Sequence, residues 1–225
     1  MKLNKVTITG ADDATNIDDI LKISKQHPFV EWGILISSSR TGEKRYPSHT
    51  WINQLLDQNL NLSCHICGSW VKQICKGFWD EIPEFISSFK RIQLNFSPYL
   101  VLIEDTPFVE SLKDKHYIFQ IKKPTDYIQA LRKLALNKNK QASFLYDTSG
   151  GRGLYDKNWP NPIDYCGYAG GLEPDLLENQ LNEIESVVKD NTIWIDVESK
   201  VRTDEVLDLE KVTKFLEVSS KWIEE

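Results

Sequence analysis

Little in this sequence favours a membrane or a nucleic acid as a partner. No stretch of the 225 residues approaches the roughly 20 consecutive apolar residues of a membrane-spanning helix. The first five residues are not followed by the apolar core of a secretory signal, so we expect a cytoplasmic protein. Acidic residues outnumber basic ones, 33 to 27, and no basic tract supplies the counterion-releasing surface that nucleic acids require.

Cysteine is scarce as well, and the four cysteines are expected to be reduced thiols in the cytoplasm. The spacing Cys64-x-x-Cys67, with His65 and Cys75 nearby, raises a zinc site as an alternative. Residues three apart on a strand face opposite ways, however, and there is no second Cys-x-x-Cys. We therefore expect no metal, and Cys166 is interpreted as a small buried apolar residue.

Short β-rich runs alternate with helical patterns along the whole chain. The predicted strands are residues 6–9, 30–36, 60–67, 91–94, 117–121, 142–146, 163–168 and 192–197. Helices are predicted to begin near Asn16, Ser48 and Thr125, and to span residues 174–188 and 207–223. Residues 68–90 and 96–116 are less regular, with helical turns predicted at 70–75 and 78–89.

This alternation predicts an α/β fold with parallel strands joined by right-handed crossovers. Eight strands in about 225 residues favour closure into a (β/α)₈ TIM barrel over a doubly wound open sheet. No Pro/Gly/Ser-rich linker divides the chain, so residues 1–225 are expected to form a single domain.

Polar and glycine residues follow the last three predicted strands. Asp147 ends the sixth strand, Gly170 and Gly171 follow the seventh, and Ser199 and Lys200 follow the eighth. In a barrel, the loops after strands seven and eight are the usual phosphate site, where glycine lets the backbone approach an anion. The alternative is that these glycines are only turn residues. The pattern favours one anion pocket at the carboxyl ends of the strands.

These motifs carry a resemblance to a known family. Residues 144–147 read FLYD, 150–153 GGRG, 170–175 GGLEPD and 195–201 IDVESKV. Upstream, the loop containing Arg45 and the strand containing Gln93 fit the same pattern. The chain resembles the phosphoribosylanthranilate isomerases, single-domain barrels of tryptophan biosynthesis, most strongly over residues 142–202.

The resemblance implies a reaction and a set of roles. The substrate is expected to be a phosphoribosyl amine, rearranged from aldose to ketose (an Amadori rearrangement) without metal or organic cofactor. By position, Asp147 matches the general acid, and Arg45 matches a residue that contacts the substrate carboxylate or assists the catalysis. The expected phosphate-binding residues are Gly170, Gly171, Ser199 and Lys200, and the expected substrate contacts are His65, Gln93 and Gly151.

Three positions depart from the family. Thr9 stands where the family has a cysteine base, and a hydroxyl does not supply the thiolate that a thiol with a pKa near 8.5 provides. Glu198 and Lys200 stand where the family has Ser and Gly. Because His65 and Cys67 share one face of their strand, our hypothesis is that Cys67 or His65 replaces the base. The alternative is that both only pack.

Three functions remain open on the sequence alone. The first is an isomerase of this type, and the second is a lyase or epimerase that acts on another phosphorylated metabolite. The third is a catalytically silent barrel that binds a phosphorylated ligand or a protein. A shared scaffold does not choose among them. In each enzyme reading the partner is a phosphorylated small molecule, and the expected assembly is a monomer or homodimer.

Overall fold

The strands of the computed structural model close into a parallel barrel. The structure describes residues 1–95, 105–122, 125–138, 140–149 and 152–224. Within these ranges eight strands follow one another in chain order, and the eighth pairs with the first. They are β1 (Lys2–Thr9), β2 (Val30–Ser37), β3 (Leu62–Cys67), β4 (Arg91–Asn95), β5 (His116–Ile121), β6 (Gln141–Asp147), β7 (Cys166–Ala169) and β8 (Thr192–Val197). The predicted (β/α)₈ fold class is confirmed.

Helices connect the strands on the outside of the barrel. They are α1 (Ile17–Gln26), α2 (His49–Leu56), α3 (Ser69–Cys75), α4 (Asp105–Ser111), α5 (Asp126–Asn137), α6 (Leu177–Val188) and α7 (Leu209–Ser220). A short antiparallel hairpin, β9 (Arg202–Thr203) and β10 (Val206–Leu207), lies between β8 and α7. None of these helices is both long and apolar enough to cross a bilayer, within the described ranges.

Side-chain caps define the starts of several helices. The Asn16 side chain accepts a hydrogen bond from the backbone N–H of Asp18 at the start of α1, and the Ser48 hydroxyl does the same for Trp51 in α2. Asp208 caps α7 by accepting from Glu210 and Lys211. This cap starts α7 at Leu209, whereas the sequence predicted a helix from residue 207.

Other element boundaries also differ from the predictions. β7 begins at Cys166 rather than at residue 163, because Asp164 has a φ of 50°, which interrupts extended backbone. α6 begins at Leu177 rather than at residue 174, after a turn closed by the bond from Leu176 N–H to the Glu173 carbonyl. The helical turn predicted over 78–89 is two separate 3₁₀ turns, Trp79–Glu81 and Glu84–Ser88, divided by a proline.

The polarity of the side chains inside the barrel changes from one end to the other. In the middle, Ile118, Leu145, Ala169 and Trp194 form an apolar cluster separate from the main core between strands and helices. At the amino end, the Glu31 carboxylate accepts hydrogen bonds from the Thr7 hydroxyl at 3.0 Å and from the Arg91 guanidinium. The apolar layer separates this buried ion pair from the carboxyl end of the barrel.

Positive neighbours dominate the environment of Glu31. Burial alone would raise the pKa of this carboxyl, but Arg91 and Lys5 outweigh burial and lower it to about 2. A carboxyl with a depressed pKa stabilises the fold above its unfolded pKa and loses that contribution as the pH falls through the folded value. The stabilisation by Glu31 is therefore complete above about pH 4.5 and is lost as the pH falls towards 2.

We expect Glu31→Ala to lower the free energy of unfolding by about 3–5 kcal/mol, because Arg91 would stay buried without its partner. Urea denaturation at pH 7 measures the loss. Glu110→Ala is the control, since it removes an exposed pair with Lys138 and should cost less than about 1 kcal/mol. Equal losses in the two variants would contradict a stabilising role for the buried pair.

Candidate active site

A cavity of about 960 Å³ opens at the carboxyl ends of the strands. It is lined by the last residues of β1, β3, β4, β5, β6, β7 and β8, together with the loops that follow. Ten residues that the sequence singled out line this one cavity: Thr9, Arg45, His65, Cys67, Gln93, Asp147, Gly170, Gly171, Ser199 and Lys200. Gly151, also predicted to contact substrate, lies outside the described residues. The roles assigned to all of these residues stay predictions.

Asp147 is held firmly at the end of β6. Its Oδ2 accepts a hydrogen bond from Gln120 Nε2 at 2.7 Å, and its Oδ1 accepts from the Ser149 hydroxyl at 2.7 Å. The backbone N–H of Ser149 donates to the same Oδ1 at 3.1 Å. These contacts fix the direction of a carboxyl group that faces the cavity.

The two glycines after β7 are required by their surroundings. Gly170 has a φ of 106° and Gly171 a φ of 73°, a region of backbone conformation that favours glycine. A Cβ on Gly171 would also collide with the backbone of Tyr155, in the loop after β6. The two loops therefore pack closely, and the glycine backbone forms part of the cavity wall without a side chain.

The charges of the β8 loop are paired across the site. Lys200 Nζ lies 2.8 Å from the carboxylate of Glu173, which follows the two glycines. Ser199 begins a short 3₁₀ turn, Ser199–Val201. The ion-pair partner of Lys200 is therefore Glu173, on the loop after β7.

Arg45 instead provides the positive charge beside Glu198. Its Nη1 donates to Glu198 at 3.1 Å, and its Nη2 donates to Glu205 at 2.8 Å. Burial raises the pKa of the Glu198 carboxyl, and the charges of Arg45 and Arg202 oppose this rise. The guanidinium that the resemblance assigns to a substrate carboxylate is thus shared between two carboxylates of the protein itself.

Thr9 faces a buried carboxyl on the neighbouring strand. Its hydroxyl donates to Asp196 Oδ1 at 2.8 Å, and the His65 ring lies 3.9 Å from Oδ2. A Cβ at Gly33 would collide with both Thr9 and His65, so this glycine makes room for the cluster. Burial raises the pKa of Asp196 well above its usual range, Glu198 and Asp147 add to the rise, and Thr9 opposes it.

The two residues proposed as replacement bases have different surroundings. Cys67 Sγ accepts a hydrogen bond from Asn95 Nδ2 at 2.9 Å, and burial raises the pKa of its thiol. Burial lowers the pKa of His65 to about 4, so its imidazole is neutral at pH 7. The Oε1 of buried Gln93 has no hydrogen-bond partner within the described part of the chain and is free to accept one from a ligand.

Sequence reasoning missed several polar groups of the cavity wall. Asp196 was noticed at the end of β8 but was given no role, although Asp147 at the same position of β6 was. Asn95 and Gln120 lie at the ends of β4 and β5, so the rule that directs attention to strand ends would have found them. Tyr46, which lines the cavity and contacts Cys67, is in a loop and has no such signal.

The cysteine pair does not form a common site. Cys64 is fully buried, whereas Cys67 faces the cavity, as expected for residues three apart on a strand. Within the described ranges no group of three or more His, Cys, Asp or Glu side chains is arranged to hold a metal ion.

Comparisons with known proteins find similarity to phosphoribosylanthranilate isomerases both in sequence and in structure. An N-(5'-phosphoribosyl)anthranilate isomerase from Wickerhamomyces anomalus is 27% identical over 161 residues, which is 65% of this chain and 67% of that protein. The structure of the corresponding isomerase from Pyrococcus furiosus has a TM-score of 0.56 at 14% identity, covering 96% of this chain and 98% of that one.

A truncated 3-deoxy-D-arabino-heptulosonate 7-phosphate synthase from Thermotoga maritima has a TM-score of 0.58 at 11% identity. The match covers 98% of this chain and 86% of that one. No family model matches the chain. The two structural similarities show the barrel fold alone, whereas the relative from W. anomalus is similar in sequence. This chain therefore resembles the phosphoribosylanthranilate isomerases, as its residues indicated, and shares their (β/α)₈ barrel fold.

Proposed function

We propose that this protein catalyses an aldose–ketose (Amadori-type) isomerisation of a phosphoribosyl amine or a related phosphosugar. The observation that carries the proposal is that Asp147, the glycine pair Gly170 and Gly171, and Ser199 line one cavity. These residues come from three consecutive strand ends, and a cavity of about 960 Å³ has room for a sugar phosphate with a small ring attached. The sequence similarity to an isomerase of this class agrees with it.

The phosphate of the substrate is proposed to lie against the loops after β7 and β8. Backbone without side chains at Gly170 and Gly171 permits a close approach of phosphate oxygens. Lys200 belongs to the loop after β8, and its side chain supplies an ammonium group to the cavity lining. A phosphate at this place would compete with Glu173 for Lys200, and its higher charge favours the phosphate.

The proposed chemistry requires one proton donor and one proton acceptor. Asp147 would protonate the ring oxygen while the C1–O bond breaks, so that the nitrogen lone pair forms an open-chain imine at C1. Loss of the proton on C2 then gives an enaminol, and return of a proton to C1 gives the ketone at C2. C1 is reduced and C2 oxidised within one molecule, so no external oxidant or reductant is needed.

We expect the purified protein to convert phosphoribosylanthranilate or another phosphoribosyl amine to its ketose, monitored by the spectroscopic change of the attached amine. Asp147→Asn should lower kcat by roughly 10²–10⁴-fold, the usual contribution of a general acid. Asp156→Asn is the matched control, since Asp156 is an exposed residue of the same loop. An absence of turnover, with no growth of an auxotroph that lacks the isomerase, would contradict the proposal.

Phosphate binding has its own test at the glycine pair. We expect Gly171→Ala to lower the affinity for ribose 5-phosphate about tenfold or more, because a Cβ there displaces the loop that carries Tyr155. Gly42→Ala is matched in backbone strain, with a φ of 83° against 73°, but its Cβ meets nothing within 4 Å. Isothermal titration calorimetry compares the two. Equal affinities would argue against a phosphate at this loop.

A related phosphosugar without a carboxylate on its amine is the second candidate substrate. The specific observation is that Arg45 is already bound by Glu198 and Glu205. A substrate carboxylate would have to displace Glu198 or Glu205 from this guanidinium, whereas a neutral or cationic amine substituent would not.

Replacing Glu198 with the serine of the family tests the choice between these substrates. We expect Glu198→Ser to raise kcat/KM for phosphoribosylanthranilate by up to about tenfold, since Arg45 becomes available to the carboxylate. Glu43→Ser is the control, because Glu43 lines the same rim but pairs with Arg40. A decrease in the Glu198→Ser variant would show that Glu198 assists the reaction of this substrate.

A further inference from the structure

The cavity contains a candidate acid, but the position of the family's cysteine base is occupied by Thr9. The Thr9 hydroxyl donates a hydrogen bond of 2.8 Å to Asp196 Oδ1. Thr9 ends β1 and Asp196 lies near the end of β8, on the adjacent strand. Both side chains line the cavity. The residue at the family's base position therefore orients a carboxyl group into the space where the base would act.

The other candidate bases are less suited to remove a proton from carbon. Burial raises the pKa of the Cys67 thiol and outweighs the hydrogen bonds from Asn95 and Tyr46, which lower it, so little thiolate forms at neutral pH. Burial lowers the pKa of His65 to about 4, which makes its neutral ring a weak base. His65 Nε2 also lies 3.0 Å from the Ser63 hydroxyl, on the side away from Asp196.

We propose that Asp196 is the catalytic base that removes the C2 proton of the open-chain imine, with Thr9 as its positioning residue. This inference rests on the proposed isomerase function and assigns the step that the sequence left without a residue. In the step, a carboxylate oxygen of Asp196 forms an O–H bond as the C2–H bond breaks. The released electron pair forms the C1=C2 double bond, and the C1=N π pair moves to the protonated nitrogen as its lone pair.

The surroundings of Asp196 set its strength as a base. Burial raises its pKa most, the charges of Glu198 beyond β8, Asp147 on β6 and Glu31 on β2 raise it further, and the Thr9 hydrogen bond lowers it. His65 on β3 lies 3.9 Å away and is neutral at pH 7. A carboxylate with a raised pKa accepts a proton from carbon more readily than an ordinary one. We therefore expect kcat to increase as the pH rises through this elevated pKa, because only the ionised carboxylate can accept the proton.

The first experiment uses the phosphoribosyl amine that the wild type converts, with hydrogen or deuterium at C2. Asp196→Asn keeps the shape of the side chain but removes the base, so kcat should fall roughly 10²–10⁴-fold. KM and the affinity for ribose 5-phosphate should stay within a few fold, and circular dichroism verifies the fold. Adding Thr9→Cys to Asp196→Asn returns a thiol to the position of the family's base. The kcat of this double variant should be at least tenfold higher than that of Asp196→Asn alone.

The second experiment does not depend on the folding of the Asp196 variant. Thr9→Val removes the hydrogen bond that lowers the pKa of Asp196, so the acidic limb of the kcat–pH profile should move to higher pH. Thr7→Val is the matched control, because Thr7 is two residues earlier on β1, is equally buried and bonds Glu31 instead. Its acidic limb should not move.

The outcomes separate this inference from the function on which it rests. A wild type that turns over a phosphoribosyl amine while Asp196→Asn retains full kcat overturns the assignment alone. The same holds if Cys67→Ala lowers kcat and raises the C2 isotope effect while Asp196→Asn does neither, since the base is then Cys67. An acidic limb that Thr9→Val leaves unmoved also overturns it. A wild type without turnover on any phosphoribosyl amine overturns the proposed function, and the assignment falls with it.

Discussion

The parallel pairing of β1 with β8 closes the barrel, and every contact of the cavity depends on that closure. Thr7 and Ile8 stand in register with Asp196 and Val197, although 189 residues separate each pair. Closure brings the carboxyl ends of all eight strands to one rim, because parallel strands in a barrel all end at the same face. Without it, residues 9, 65, 147 and 196 would share no solvent space. The site is thus a consequence of strand register rather than of any local loop structure.

Buried carboxylates are compensated by positive charge to different extents at the two ends of the barrel interior. At the amino end, Glu31 is compensated by Arg91 and Lys5, and its pKa is lowered to about 2. At the carboxyl end, Asp196 is buried without a cation at hydrogen-bond distance among the described residues and Glu198 is half-buried, and the pKa values of both carboxyls are raised. A compensated pair stabilises one conformation, whereas an undercompensated carboxyl in a cavity is available for proton transfer. The apolar cluster that includes Trp194 lies between these two ends of the barrel.

Two cations at the mouth of the cavity are paired with carboxylates of the protein. Arg45 binds Glu198 and Glu205, and Lys200 binds Glu173. An anion that bound either cation would have to displace a carboxylate, which favours a doubly charged phosphate over a single carboxylate. Such an exchange would select ligands by charge. It would also make Glu198 and Lys200 compatible with the proposed anion site, although both depart from the family pattern.

Local patterns in the sequence were sufficient to predict the barrel and many residues of its rim. Strand and helix periodicities are properties of neighbouring residues, so the eight strands and their order along the chain could be predicted directly. Several element boundaries were wrong, among them those altered by Asp164, Pro83 and the Asp208 cap. The rule that strand ends meet at one face then predicted which side chains share the cavity.

The partners of those side chains were decided only by the tertiary structure. Arg45 meets Glu198 and Glu205 from 153 and 160 residues away, and Thr9 meets Asp196 across 187 residues. No local pattern encodes which carboxylate faces which cation, because that depends on the closing register and on the small size of Gly33. The sequence by itself therefore determined the scaffold and the kinds of groups at its rim. Folding decided which groups are neutralised and which remain able to exchange a proton, since burial and pairing exist only once the barrel has closed.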